Sequence, residues 1–385
     1  MASSGIAALL LIDGRTAHSC FKIPIDIHKL LLCGIKKNSL LADLIKAADL
    51  VIWNEVQSHH IHEAVDCTFQ DVHSSDCPFG GLCIVFGGDF KQILPVIIKG
   101  NWAQIIGISM QQSALWQSIH ILKLIQNMRL NTADEQDREF AQWQLDIGHG
   151  HHTDENKNII LPDHFHCTEN TIESLIETIY PGIAYHIPPT DHYFAKCTIL
   201  ASHNDDVDSI NTDILRQFPG EIQTFLSADS IKNNNGEGGK DALTVYCFDL
   251  NSINCSSLSL HKLEVKKGCS VMVLGNLNPE GGVCNSSRGI IMNQVLEIWL
   301  ITGQHAGETV FIPQIGITPA ETQVPFEFHC HQFPIRLCFA MTINKSQGQS
   351  VAHVGLDLRN SVYTHGQFYV AISQVTSVHR LKAMG

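Results

Sequence analysis

Near the carboxyl end of this 385-residue chain, Thr342, Lys345, Ser346, Gln347 and Gly348 bring together two hydroxyls, an ammonium, an amide and a flexible backbone. N–H and O–H donors spaced this closely can converge on phosphate oxygens, so the segment suits an anion-bearing ligand. The same residues also satisfy a plain loop leading into an N-capped helix. A second stretch, 368–377, is apolar and then polar, and reads as a helix or a strand edge. Two further runs end in groups capable of chemistry. Residues 50–55 (LVIWNE) form a buried-strand pattern closing on Asn54 and Glu55. Residues 82–96 (LCIVFGGDFKQILPV) break at Gly87-Gly88 and present Asp89 and Gln92 at the strand's carboxyl end, where ligands sit in open parallel sheets.

The elements that must position these groups alternate between strand and helix patterns, as in an α/β protein. Leu40 to Ala48 has helical spacing, and the apolar run Ile119 to Leu124 predicts a strand placed just before Arg129. Residues 131–150 predict a helix with Phe140, Trp143 and Ile147 on one face, and 148–161 is a His-rich loop. Cys197 to Ser202 predicts a strand, with a helix beginning at Asn204 and Asp205. From about Val271 to Phe333 the strands are short, which points to a small β-rich insert.

Bulk properties narrow the class. The composition, 44% hydrophobic and 16% charged, is that of a globular chain with room for two or three cores. No apolar run approaches the ~20 residues of a membrane span, and no signal pattern opens the sequence. The 13 cysteines form no C-x-x-C pair and read as reduced thiols. A net charge of −13 excludes a generally basic surface but leaves room for a local basic groove. The histidine clusters (59, 60, 62; 149, 151, 152; 164, 166; 329, 331) lack the paired doublets of a structural zinc site, so no protein metal cluster is expected.

The strings FAMTINKSQGQS (339–350), YVAISQVTS (369–377) and GGDFKQILP (87–95) resemble motifs of the Pif-type (petite integration frequency) DNA helicases, of superfamily 1 class B, and most nearly their Helitron-associated branch. The resemblance covers nearly the whole chain. It implies an α/β fold of two RecA-like parallel-sheet motor domains, the first incomplete, with a small inserted SH3-like β-barrel. The implied division is 1–130 for the first domain, 131–265 with 334–385 for the second, and about 266–333 for the insert.

By the same resemblance, Glu55 orients the attacking water, Gln92 senses the γ-phosphate and Arg129 reaches it. Asn54, Asp89 and Gln374 occupy nucleotide- or Mg²⁺-associated positions. Ser4, Gly5, Thr16, His18, Thr342, Lys345, Ser346, Gln347 and Gly348 are DNA contacts. The implied cofactors are ATP and Mg²⁺, the partner is single-stranded or forked DNA, the state is monomeric and the location nuclear, with no membrane association.

Departures from the family pattern bear on activity. Asn54 stands where a metal-holding Asp is usual, and Gln374 where an arginine finger is usual. No G-x-x-x-x-G-K-[ST] phosphate loop occurs in the 385 residues, and the Gly-Gly-Lys at 238–240 reads as a surface loop. The expectation is therefore an N-terminally truncated, weak or inactive ATP hydrolase, the alternative being a residual single-strand-binding or interaction module. Eight Arg against 22 His, with His, Gln or Cys at basic motif positions, fits a transposon gene copy decaying by cytosine deamination.

Overall fold

The computed structural model describes residues 1–24, 32–56, 58–95, 97, 100–130, 134–152, 154, 158–185, 191–232, 258–293, 296–319, 327–349, 351–364 and 366–385. The Gly238–Lys240 segment lies outside them. The chain divides into two compact units.

The first unit comprises Met1–Leu161, Gln347–Gln349 and Val362–Val378. Its short helices α1 (Gly5–Ala8) and α2 (Ala17–Phe21) begin at Ser4 and Thr16, whose hydroxyls accept the N–H groups of Ala7 and Ser19. These hydroxyls satisfy backbone donors that a helix start leaves open. Helix α3 (Leu40–Ala47) leads into strand β1 (Leu50–Asn54), followed by helix α4 (His59–His73) and strand β2 (Cys83–Gly87). β1 and β2 pair in parallel, with Asn54 opposite Gly87. Val51 and Trp53 point into a core shared with Phe21, Val65, Phe69 and Phe79, whereas Leu50, Ile52 and Val85 each remain about half exposed on the opposite face. Helix α5 (Trp102–Gly107) follows β2, and helix α6 (Glu135–Gly148) buries Phe140 and Ile147, as its spacing predicts.

One expectation is corrected here. The run 119–124 is not a strand: it is extended, without a ladder partner among the described residues, and Leu122 and Leu124 are exposed. Apolar alternation creates a strand only where a neighbouring edge takes up its N–H and C=O groups. A cleft of about 440 Å³, lined by Ile84, Phe86, Leu94, Met110 and Ile121 among others, lies between β2 and this run.

The second unit comprises Pro162–Ser346, Ser350–Ser361 and His379–Gly385. Four strands pair in parallel in the order Ala340–Thr342, Cys197–Ala201, His353–Asp357 and Leu381–Met384. The buried strand Cys197–Ala201 reads as an unbroken apolar run, as expected of a parallel sheet covered on both faces. Helices Ile172–Ile179 and Asn204–Gln217 pack on this sheet. From the second helix, buried Asn211 accepts from the N–H groups of Phe339 and Ala340 and donates to two carbonyls, fixing the approach to strand Ala340–Thr342. Between residues 270 and 337 this unit also holds a five-stranded antiparallel sheet built from Thr309–Phe311, Glu297–Leu300, Arg288–Asn293, Ser270–Val273 and Ile335–Leu337, the last strand lying beyond 266–333. Among the described residues no helix is long and apolar enough to cross a membrane.

Candidate functional site

Within the first unit, the carboxyl end of β1 is held from several sides. The Ser3 N–H donates to Asn54 O at 3.1 Å, and the Ser3 hydroxyl donates to Glu55 O while accepting from Trp53 Nε1 at 3.2 Å. Glu55 adopts a left-handed φ of 59°, a conformation that disfavours a non-glycine residue and is retained where surrounding contacts impose it. Its side chain is fixed as well, because Ser4 Oγ donates to Glu55 Oε2 at 2.6 Å. Burial pushes the Glu55 carboxyl above its usual range, and the Ser4 bond offsets part of that shift.

Gly348 belongs to this same cluster. It has a φ of 78°, and a Cβ there would stand 3.2 Å from Glu55 Oε1 and 3.3 Å from Ile6 Cγ2. Close approach and a left-handed backbone together account for glycine at this position. Gln347 Nε2 donates to Gln92 Oε1 at 2.9 Å, so the loop after β2 meets the 347–349 segment through paired amides. Asp89 lies beside them. It accepts from the Lys91 N–H at 3.0 Å and from Tyr369 OH at 3.2 Å. Burial, reinforced by the Asp89 charge, pushes the Tyr369 phenol up to about 12, so it remains a hydrogen-bond donor at neutral pH.

Arg129 and Gln374 also meet in this unit: Arg129 Nη2 donates to the Gln374 backbone carbonyl at 3.4 Å. The Gln374 amide turns inward, with Nε2 on Val370 O at 3.1 Å and a buried Oε1 that has no partner. The helix Gln367–Ile372 that carries Tyr369 is tied to α6 by Gln144, which donates to Ile372 O and Val375 O. Gly366, at φ 72°, precedes this helix, and a Cβ on it would lie 2.3 Å from Gln92 O. Gly366→Ala is therefore expected to push the 91–92 backbone away, break the Gln92–Gln347 pair and cost at least about 2 kcal/mol in a denaturant titration. An unchanged midpoint would contradict this packing.

Of the other proposed contacts in the first unit, Gly5 is buried in α1, Thr16 caps α2, and His18 is lowered in pKa by burial. Thr342, Lys345 and Ser346 are in the second unit. Ser346 is buried, with its hydroxyl on Ile343 O at 2.7 Å, so it acts first as a local brace. Thr342 and Lys345 line a water-sized cavity of about 20 Å³ with Asp208 and Arg336. Burial, and then the Arg336 charge, lower the Lys345 pKa. Sequence reasoning missed Ser3, Tyr369 and Gln144. Ser3 sat beside a candidate and Tyr369 opens the 369–377 motif, whereas Gln144 gave no local signal.

Parallel-sheet units whose strand ends gather amides, carboxylates and hydroxyls define an α/β protein with its polar cluster at the carboxyl edge. Family models identify which one. The PIF1-like helicase model matches residues 1–158 and the DNA helicase Pif1 2B-domain model matches residues 249–293, together over half of the chain. The ATP-dependent DNA helicase PIF1 of Danio rerio is 26% identical over 395 residues, covering 100% of this chain and 53% of the relative. That of Xenopus laevis is 25% identical over 336 residues, covering 84% of this chain and 44% of the relative. The Pif1 helicase of Bdellovibrio bacteriovorus is 25% identical over 400 residues, covering 100% and 77%. The chain thus spans about half the length of the vertebrate relatives it matches.

Bacteroides Pif1 bound to ssDNA shares the fold with a TM-score of 0.66 at 22% identity, covering 100% of this chain and 82% of that one. Pif1 helicase from Candida albicans does so with a TM-score of 0.65 at 20% identity, covering 100% and 83%. The chain belongs to the Pif1-like helicase family.

Proposed function

We propose that this chain is a single-stranded-DNA-binding member of the family whose ancestral reaction is ATP-driven 5′–3′ DNA unwinding, and that its own hydrolysis is impaired. The Gln92–Gln347 hydrogen bond carries the reading. It joins the segment to which the resemblance assigns γ-phosphate sensing and the segment to which it assigns DNA contact. Ser4, Gly5, Thr16 and His18 supply further contacts, and Thr342, Lys345 and Ser346 serve from the second unit. The insert is read as the SH3-like barrel, the partner as single-stranded or forked DNA, and the location as nuclear.

The residues present do not fit a magnesium site of the usual charge. Position 54 is a neutral amide whose Oδ1 lies 2.9 Å from where a Gly87 Cβ would be. The Glu55 carboxyl is bonded to Ser4 and shifted up, and Asp89 is shared between Tyr369 and the Lys91 N–H. A hard cation is usually held through one or two carboxylates, whereas here one position is a neutral amide and both nearby carboxylates already accept hydrogen bonds. What remains is binding: hydroxyl, amide and backbone donors along the strand ends, with Lys345 the main cation of the set.

Fluorescence anisotropy with a labelled oligothymidine at several salt concentrations tests this. Saturable binding is expected, with a log–log salt slope no steeper than about −2, because each single-strand phosphate contact contributes about 0.7 and the set is poor in cations. Lys345→Ala is expected to weaken binding and flatten that slope. Absence of saturable binding at low salt would refute the proposal.

A further inference from the structure

We propose that His59, His60 and Glu63, on the first turn of α4, form a binding site for a divalent transition ion of the Zn²⁺ type. The helix creates the geometry. Positions separated by three and four residues share a face, which brings both imidazoles over one carboxylate. His59 Nδ1 lies 3.0 Å from Glu63 Oε1, and His60 Nδ1 lies 3.8 Å from Glu63 Oε2. One ligand atom from each of the three residues falls within 4.8 Å of the others. Metal–ligand bonds of about 2.0–2.1 Å in a tetrahedron place neighbouring ligand atoms roughly 3.3 Å apart, which the two contacts bracket.

A second observation points to a ligand rather than to a simple ion pair. The His59 side chain is 9% exposed, and its Nδ1 makes no hydrogen bond despite the nearby carboxylate oxygen. A ring nitrogen and a carboxylate oxygen are both electron-pair donors, and a cation bound beside them satisfies both. The carboxylate is also held from outside, because Ser113 Oγ donates to Glu63 Oε1 at 2.7 Å. The turn itself is fixed by the His59 N–H on Ile108 O at 2.9 Å. Outer hydrogen bonds of this kind orient the ligands of protein-bound metals. Two imidazoles and one carboxylate suit Zn²⁺, Co²⁺, Ni²⁺ or Cu²⁺ better than Mg²⁺ or Ca²⁺, and three protein ligands leave a position for water. A bound ion ties together the start of α4, just after Glu55 in the chain, and Glu63 joins that turn to Ser113 through its own hydrogen bond.

The 385-residue chain, stripped with chelator, is dialysed against Zn²⁺ and separately titrated with Co²⁺, whose visible ligand-field bands report coordination. His60→Gln and Glu63→Gln, both at partly exposed positions, are compared with wild type and with His151→Gln as a control for the other histidine-rich segment. One tight equivalent is expected in wild type and in the control, with at least tenfold weaker binding in each ligand variant. The rise in melting temperature on adding Zn²⁺ should disappear with the site. Equal affinity and Co²⁺ spectra in wild type and both ligand variants would overturn the assignment, as would no retained equivalent in wild type. Should one variant fail to fold without metal, the other and the wild-type Co²⁺ spectrum still decide.

Discussion

Phosphate release by this chain, assayed with ATP, Mg²⁺ and single-stranded DNA beside the Bdellovibrio bacteriovorus relative, is expected to be slower by at least about 10³-fold. Phosphoryl transfer is catalysed almost entirely by positioning and charge stabilisation, and an arginine finger alone contributes about 10³–10⁵. At the position that the resemblance assigns to the finger this chain has Gln374, whose amide is turned into its own helix on Val370 O and carries no net charge. Arg129, which the resemblance would send to the γ-phosphate, donates to the Gln374 carbonyl. Asn54 withdraws the charge that a carboxylate gives to a metal's hydration shell. Burial raises the Glu55 carboxyl, a shift that by itself strengthens a carboxylate as a proton acceptor, so Glu55 is not among the losses.

These losses act on one transition state, so their effects do not separate additively. Gln374→Arg or Asn54→Asp alone is expected to leave the rate at background. DNA-stimulated release by the unaltered chain at a rate comparable to the relative's is the outcome that removes the idea of an impaired engine. Binding without hydrolysis, the pattern proposed here, separates the two readings in one pair of assays.

What the sequence revealed and concealed follows the range of the interactions. β1 was legible because four apolar residues, 50–53, end abruptly in Asn54 and Glu55, though Leu50 and Ile52 stay about half exposed where full burial was expected, and α6 because Phe140 and Ile147 recur at helical spacing. The pairs that assemble the site were not. Gln92–Gln347 joins residues 255 positions apart, and Asp89–Tyr369 joins residues 280 apart, so no local pattern encodes either. Run 119–124 misled for a related reason, since its composition is strand-like but pairing depends on an edge that composition does not supply. Around the histidines at 59–62 the helix turns His62 onto Trp53 and sets Glu63 beside His59 and His60, a juxtaposition that the spacing of His and Cys does not display.

That burial of His62 makes acid sensitivity the other large expected effect. Its ring lies 4.6 Å from that of Trp53 and 5.1 Å from that of Phe86, and its Nδ1–H donates to Ser58 O at 3.0 Å. Nε2 is buried without a partner, so a second proton would sit among aromatic rings with nothing to accept it. Burial accordingly lowers the pKa from 6.5 to about 4. The sign follows directly. Between those values the unfolded chain binds the proton and the folded chain does not, so stability falls as pH drops through that window. Over the whole window the loss amounts to about 3 kcal/mol.

Glu55 and Asp66, both raised by burial, work in the opposite direction: their folded forms keep a proton that the unfolded chain releases. A bare pH profile therefore mixes opposing slopes, and the difference between wild type and His62→Phe isolates the imidazole. Near neutral pH the variant is expected to lie within about 1 kcal/mol of wild type, the cost of the lost Ser58 bond offset by apolar fill. By about pH 4.5 the balance should move toward the variant by about 2–3 kcal/mol, read from urea midpoints at each pH. Parallel profiles would mean that His62 takes up its proton in the folded protein as readily as in the unfolded chain, and that the core around Trp53 opens to water.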